Sequence, residues 1–143
     1  MSRAIVDSNV LYGRFNTQDE LHEQAREIFD AMDRATLPEG VIVSTALPEV
    51  LNPAQKQAGQ AAAMDFLDRI QRSSGFTIEW LSRDSYEKAL AEWKSRTGVE
   101  FTDVAITQFM RSHDIEYVYS FDDDFDEFDG ITRLNTAVDP FEP

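Results

Sequence analysis

Residues 4–9 read AIVDSN, a short apolar run that ends in an aspartate and two further polar residues. An apolar run of this kind, bounded by turn-forming residues, is typical of a buried strand. We therefore predict a strand over residues 4–7, with the carboxylate of Asp7 at its carboxyl end. The rest of the chain repeats this arrangement, because short apolar runs alternate with longer segments of helical periodicity.

The alternation of strands and helices predicts the fold class. The predicted strands are residues 4–7, 41–44, 77–81, 117–120 and 131–134. The predicted helices are residues 19–35, 47–56, 61–72, 82–97 and 102–113. Such an order is typical of a mostly parallel sheet covered on both faces. We expect an α/β fold with a five-stranded sheet and helices on both faces, formed as a single domain over residues 1–143. Trp80 and Trp93 fall in apolar patterns and are predicted to lie in the core.

The composition excludes several kinds of chemistry. Hydrophobic residues make up 42% of the 143 positions, which is enough for a packed core. The absence of cysteine excludes disulfides, thiolate zinc sites and thiol catalysis. No apolar run is long enough to span a membrane, so we expect a soluble, cytoplasmic protein.

Residues 119–130 read YSFDDDFDEFDG, in which six carboxylates are interleaved with aromatic rings. The stretch lies between two predicted strands, so a disordered acidic tail is excluded. We predict that Phe121, Phe125 and Phe128 pack the turn after the fourth strand. Most of the carboxylates are then expected to be solvated, and the remaining question is whether one or more of them binds a metal ion.

Four acids that are distant in sequence are predicted to meet at one edge of the sheet. Asp7 and Asp122 follow apolar strands. Glu49 lies on the predicted helix after the second strand, and Asp103 lies at the start of the predicted helix that leads into the fourth strand. Ligands of open α/β sheets bind beyond the carboxyl ends of the strands. Taken singly, each acid could instead be a helix cap, a turn residue or a solvated side chain.

Carboxylates that cluster in a dry cleft cannot all ionise unless a cation neutralises them. A ligand set made only of oxygen atoms favours Mg²⁺ or Mn²⁺ over zinc. Such a cation can activate water and neutralise charge on a phosphate, so metal-assisted hydrolysis of a phosphodiester is the chemistry that we expect.

Four motifs of the chain resemble those of the PIN domain, and within that family the VapC-type toxin ribonucleases. They are IVDSNVLYG at residues 5–13, STALPEVLN at 44–52, EFTDVAITQFM at 100–110 and YSFDDDFDEFDGI at 119–131. The resemblance implies a three-layer sandwich and Mg²⁺- or Mn²⁺-dependent cleavage of RNA. It also implies that Asp7, Glu49, Asp103 and Asp122 are both the catalytic residues and the metal ligands. A small antitoxin protein is the implied partner, and we further expect a homodimer.

Four polar residues are predicted to support these ligands. The resemblance implies Asp122 as the ligand from the triple aspartate, because Ser120 stands two positions before it as in the family motif, and Asp124 is expected to make an outer-sphere contact. Ser8, Asn9 and Ser120 could either orient the ligands or touch the substrate, and the sequence leaves both possibilities open.

Two alternative functions fit parts of the pattern. A phosphatase of the haloacid-dehalogenase type also places an aspartate after its first strand, but Asn9 stands where that class needs a second aspartate. A PIN-fold module that binds RNA or assembles without catalysis would not require all four acids.

The net charge of −14 has two possible explanations. The acids are spread over the whole chain and only three of the thirteen basic residues are lysines, which favours a surface adapted to high salt. A basic partner would be the alternative.

We predict that added salt stabilises the protein. The screening length falls to roughly 3 Å at 1 M salt, which weakens repulsion among carboxylates. The thermal unfolding midpoint should therefore rise between 0.05 M and molar KCl. A midpoint that stays flat or falls would support the basic-partner explanation instead.

Overall fold

A computed structural model describes residues 2–142 of the chain. Five strands form one sheet in which every pairing is parallel, in the order β3-β2-β1-β4-β5. The strands are β1 Arg3–Val6, β2 Glu39–Val43, β3 Phe76–Glu79, β4 Tyr117–Tyr119 and β5 Thr132–Leu134. The predicted α/β class and five-stranded parallel sheet are confirmed.

Six α-helices accompany the sheet within residues 2–142. They are α1 Ser8–Phe15, α2 His22–Asp33, α3 Ala46–Ala58, α4 Gln60–Arg72, α5 Arg83–Ser95 and α6 Phe101–Ser112. A short 3₁₀ helix, Asp123–Glu127, follows β4. Five of the α-helices correspond to predicted ones with ends shifted by a few residues.

Helix α1 was not predicted, because its eight residues carry a weak helical signal. Its sequence, SNVLYGRF, contains asparagine, glycine and a β-branched residue, which are all poor helix formers. Packing compensates, since Val10 and Leu11 are fully buried. Gly13 also lets α1 approach α2, because a Cβ atom at this position would lie 2.9 Å from the Cβ of Ala25.

The sheet is the middle layer of three. Alternate residues of β1 point to opposite faces, so Val6 packs with α1 to α4 whereas Ile5 packs with α6. Helices α5 and α6 pack together on this second face through Ala89 and Ala105. The expected three-layer sandwich is therefore confirmed.

The prediction that both tryptophans lie in the core is wrong. Trp80 is 77% exposed, because it lies just beyond the end of β3 at the edge of the sheet. Trp93 lies on the outer helix α5 and is partly exposed, while its indole Nε1 donates to the carbonyl of Val99. An apolar sequence pattern does not show whether a further helix or strand packs over the residues that form it.

Parallel pairing places the carboxyl ends of all five strands at one edge of the sheet. Asp7 follows β1 there and Ser120 follows β4, and the amide of Asp7 donates to the carbonyl of Tyr119 at 3.0 Å. Within residues 2–142, no helix is both long and apolar enough to cross a membrane.

We predict that Gly75→Ala destabilises the fold. The turn before β3 passes so close to α2 that a Cβ atom at residue 75 would lie 2.1 Å from the carbonyl oxygen of Met32. Overpacking of this kind costs about 1–3 kcal/mol in the free energy of unfolding, which urea denaturation measures. Ser74→Ala, at the exposed neighbouring position, is the control and should leave that free energy nearly unchanged.

Candidate metal centre

Asp7 has both of the roles considered for it from the sequence, because it caps α1 and also lies in the acidic centre. Its Oδ1 accepts from the amide of Ser8 at 2.8 Å, and its Oδ2 accepts from the hydroxyl of Ser120 at 2.7 Å. The residue is only 3% exposed. Burial raises the pKa of Asp7 to about 6, although these two hydrogen bonds lower it.

Ser120 joins the two strand ends that carry acids. Its fully buried hydroxyl donates to Asp7 and accepts from the amide of Asp122 at 3.0 Å and from Nδ2 of Asn9 at 3.2 Å. The Oδ1 atom of Asn9 accepts in turn from the amide of Phe121 at 3.2 Å. Both side chains therefore link the end of β1 to the residues that follow β4.

Asp103 lies in the first turn of α6 and is 4% exposed. Its Oδ2 is buried and has no hydrogen-bond partner among the described residues. Burial, contact with the carboxyl group of Asp122 and the charge of Asp7 raise the pKa of Asp103 well above its usual range. A buried carboxylate with an orphaned oxygen is costly unless a ligand satisfies it.

Three carboxylates lie close enough together to share one ion. Asp103, Asp122 and Asp124 each present an oxygen within 4.8 Å of the other two. The carboxylate of Asp122 also accepts from the amide of Asp124 at 2.9 Å, which starts the 3₁₀ helix. The charge of Asp122 is the main cause that raises the pKa of Asp124. The structure thus places a carboxylate oxygen of Asp124 close to those of Asp103 and Asp122.

Glu49 lies beside this cluster and is not part of the closely spaced group. Its carboxylate accepts from the hydroxyls of Ser8 and Thr102, each at 3.2 Å. Its charge helps to raise the pKa of Asp7, so the two acids are near neighbours. Sequence reasoning missed Thr102, and the only signal for it is its position directly before Asp103.

The phenylalanines of the acidic stretch are buried or partly buried, and its other acids are solvated. Phe125 and Phe128 are buried, as predicted, and Phe121 is partly buried. Asp123, Glu127 and Asp129 are exposed. Asp126 is also exposed, yet it forms an ion pair with Arg133 that the sequence did not indicate.

The residues present fit a divalent cation. Ligands of one Mg²⁺ ion, at about 2.1 Å from it, lie roughly 3–4 Å from one another, and the spacing of the three acids is compatible with this after small rotations. The orphaned oxygen of Asp103 supplies an unsatisfied ligand atom. All the candidate metal ligands are carboxylate oxygens, a ligand set that suits a hard cation.

The fold and the acidic edge define an α/β protein with a carboxylate centre at the carboxyl ends of parallel strands. The PIN domain family model matches residues 4–131, and the chain belongs to that family. This membership sets aside the haloacid-dehalogenase alternative. Comparison with curated protein sequences finds no significant match.

Three solved structures share the fold. The toxin VapC20 of Mycobacterium tuberculosis, described as cleaving the sarcin–ricin loop, is 24% identical, with a TM-score of 0.72 over 86% of this chain and 92% of that one. A toxin–antitoxin complex from Klebsiella pneumoniae is 21% identical, with a TM-score of 0.65 over 95% and 98%. VapBC2 of Rickettsia felis, bound to a fragment of promoter DNA, is 14% identical, with a TM-score of 0.67 over 94% and 98%.

We predict that the metal-free protein loses stability as the pH rises. Asp7 and Asp103 have raised pKa values in the folded state, so between about pH 4 and pH 6 the fold retains protons that the unfolded chain has released. Each retained proton lowers the free energy of unfolding by about 1.4 kcal/mol per pH unit. For Asp103 the loss continues above pH 6, and thermal unfolding in EDTA measures it.

The variant Asp103→Asn separates this effect from general acidity. It should unfold at a higher temperature than the parent, and its midpoint should change less above pH 6. Asp129→Asn, an exposed acid of the same stretch, should follow the parent. If Asp103→Asn keeps the parent's slope, the raised pKa of Asp103 is not the cause.

Proposed function

We propose that the chain is a Mg²⁺- or Mn²⁺-dependent endoribonuclease that acts as the toxin of a toxin–antitoxin pair. One observation carries the proposal, namely that Asp103, Asp122 and Asp124 cluster beside the buried Asp7 with an unsatisfied carboxylate oxygen among them. Membership of the PIN family and the likeness to VapC structures support the same reading.

In this proposal Asp7, Asp103 and Asp122 hold the cation, and Asp124 joins them as a ligand. A bound divalent cation would make a water more acidic and neutralise charge on the scissile phosphate. Ser120 and Asn9 keep Asp7 and the start of the 3₁₀ helix in register, while Ser8 and Thr102 hold Glu49 at the margin of the site.

The cation would also be the main attraction for the RNA backbone. Among the described Lys and Arg side chains, all but Arg34, Lys56 and Lys94 form a salt bridge with an acid. Arg14, for example, pairs with Asp30 and Arg111 with Glu92. With a net charge of −14, the protein has no broad basic face for phosphates.

Protein partners form the second part of the proposal. Tyr86, Leu90 and Trp93 give α5 a partly exposed apolar face, which suits a second copy of the chain or an antitoxin. One of the structural neighbours is described as a toxin–antitoxin complex, and another as VapBC2 bound to a fragment of promoter DNA. We propose a homodimer of single-domain subunits that acts on RNA in the cytoplasm and is adapted to high salt. Light scattering of the purified protein tests the dimer.

We predict that Asp7→Asn reduces RNA cleavage by about two orders of magnitude or more, the scale of losing a principal electrostatic stabiliser. The substitution removes a ligand charge but keeps the shape and the cap of α1. The measurement is the rate at which labelled RNA is cleaved with and without Mn²⁺, at low and at molar KCl.

Asp129→Asn changes the net charge equally and should cleave like the parent. Loss of cleavage in Asp7→Asn with an unfolding midpoint that is unchanged or raised would support the enzyme. A parent that never shows Mn²⁺-dependent cleavage, or an Asp7→Asn variant as fast as the parent, would favour a non-catalytic RNA-binding or assembly module.

A further inference from the structure

Arg133 contacts the acidic segment of residues 120–126, which follows β4 and includes most of the 3₁₀ helix. It lies on β5, which pairs with β4, and its side chain is only 17% exposed. Its hydrogen bonds to Asp126 and the charges of Asp126, Asp123 and Asp122 raise the pKa of its guanidinium. The function proposed above does not use this residue.

The guanidinium binds the segment at two points. Its Nε and Nη2 donate to Oδ1 and Oδ2 of Asp126 at 3.0 and 3.1 Å, which is a bidentate pair. Its Nη1 donates to the carbonyl of Ser120 at 3.3 Å. Arg133 therefore joins the residue that starts the segment to an acid within the 3₁₀ helix.

The segment held in this way carries the acids of the centre. Ser120 bonds to Asp7 and to the amide of Asp122, and Asp124 lies between the two points that Arg133 binds. A movement of the 3₁₀ helix would change the distances among Asp103, Asp122 and Asp124, because two of these three acids belong to the segment.

We infer that Arg133 is a positioning residue, which uses its planar fork to fix the segment 120–126 so that Asp122 and Asp124 meet Asp103 at the spacing of one cation. This inference rests on the proposed function, since it assigns Arg133 a role in the same centre. A lysine could supply the charge but could not reproduce the two parallel bonds to Asp126 together with the bond to Ser120.

Two possible roles of Arg133, a purely electrostatic one and a positioning one, predict opposite effects of Arg133→Gln on Mn²⁺ binding. Removing a positive charge near a cation site should tighten cation binding if charge is all that matters. If Arg133 positions the acids, Arg133→Gln should instead weaken Mn²⁺ binding by about tenfold, the lower end of the effect seen for residues that orient metal ligands. Calorimetric titration of the metal-free protein with Mn²⁺ measures the difference.

Three further variants complete the design. Arg133→Lys keeps the charge and should also bind Mn²⁺ more weakly than the parent. The double variant Arg133→Gln, Asp126→Asn restores the parent's net charge but lacks the bidentate pair, and its Mn²⁺ affinity should resemble that of Arg133→Gln. Arg83→Gln removes the charge of a side chain that is 92% exposed and paired with Glu87, and this variant should bind Mn²⁺ like the parent.

Two more measurements distinguish positioning from other roles. At saturating Mn²⁺ the KM for RNA should stay near the parent's, whereas a rise in KM confined to the Arg133 variants would indicate a phosphate contact and overturn the inference. Amide hydrogen exchange of residues 121–127 should be faster in Arg133→Gln than in Arg83→Gln, without metal. This readout shows whether Arg133 holds the segment even if the parent neither binds Mn²⁺ nor cleaves RNA, in which case the proposed function fails separately.

Parental or tighter Mn²⁺ binding in Arg133→Gln, with unchanged exchange in the segment, would overturn the inference. A lower unfolding midpoint with parental Mn²⁺ affinity would overturn it as well, because it would assign Arg133 to stability alone.

Discussion

Mutual repulsion among carboxylates at the carboxyl edge of the sheet is the constraint around which the rest of this structure is arranged. Parallel pairing brings the strand ends together, and the chain places acids at those ends instead of the neutral caps that would satisfy the same backbone groups. Burial makes the cost acute for Asp7 and Asp103, whose pKa values are raised because their charged forms are disfavoured. A fold that keeps such a cluster in place stores electrostatic strain that a cation would relieve.

The neutral groups around the cluster make this strain tolerable. Ser120, which directly follows β4, and Asn9, in the first turn of α1, donate hydrogen bonds to Asp7. Ser8 and Thr102 donate hydrogen bonds to Glu49. Hydroxyl and amide donors stabilise a carboxylate without neutralising it, so the negative potential of the site is preserved. Arg133 differs because it brings a full positive charge, but its fork is directed at Asp126 and at a backbone carbonyl rather than at the clustered acids.

The features that the sequence predicted are those that depend on local pattern and on parallel topology. Asp7 and Asp122 follow apolar runs, and the carboxyl ends of parallel strands must share an edge, so their convergence needed no coordinates. Helix α1 was missed because packing against α2, rather than propensity, holds it. The pair between Arg133 and Asp126 could not be predicted, because the sequence offers this arginine several nearby acids and only the geometry of the 3₁₀ helix selects one. Trp80 was wrongly predicted to lie in the core, because the periodicity of a sequence does not show which strand lies at the edge of the sheet.

The acidity of the whole molecule bears on how such a centre could act on RNA. A polyanion approaching a protein of net charge −14 is repelled at low ionic strength, and the salt bridges already engage most of the bases that could attract it. At molar salt that repulsion is screened beyond roughly 3 Å, while ligand bonds to a metal ion act at shorter range and persist. An ion held by Asp103, Asp122 and Asp124 would then be the strongest short-range attraction for a phosphate on this surface. In the proposed function, high salt and a bound metal ion would therefore be complementary, because the first would let RNA approach and the second would retain it.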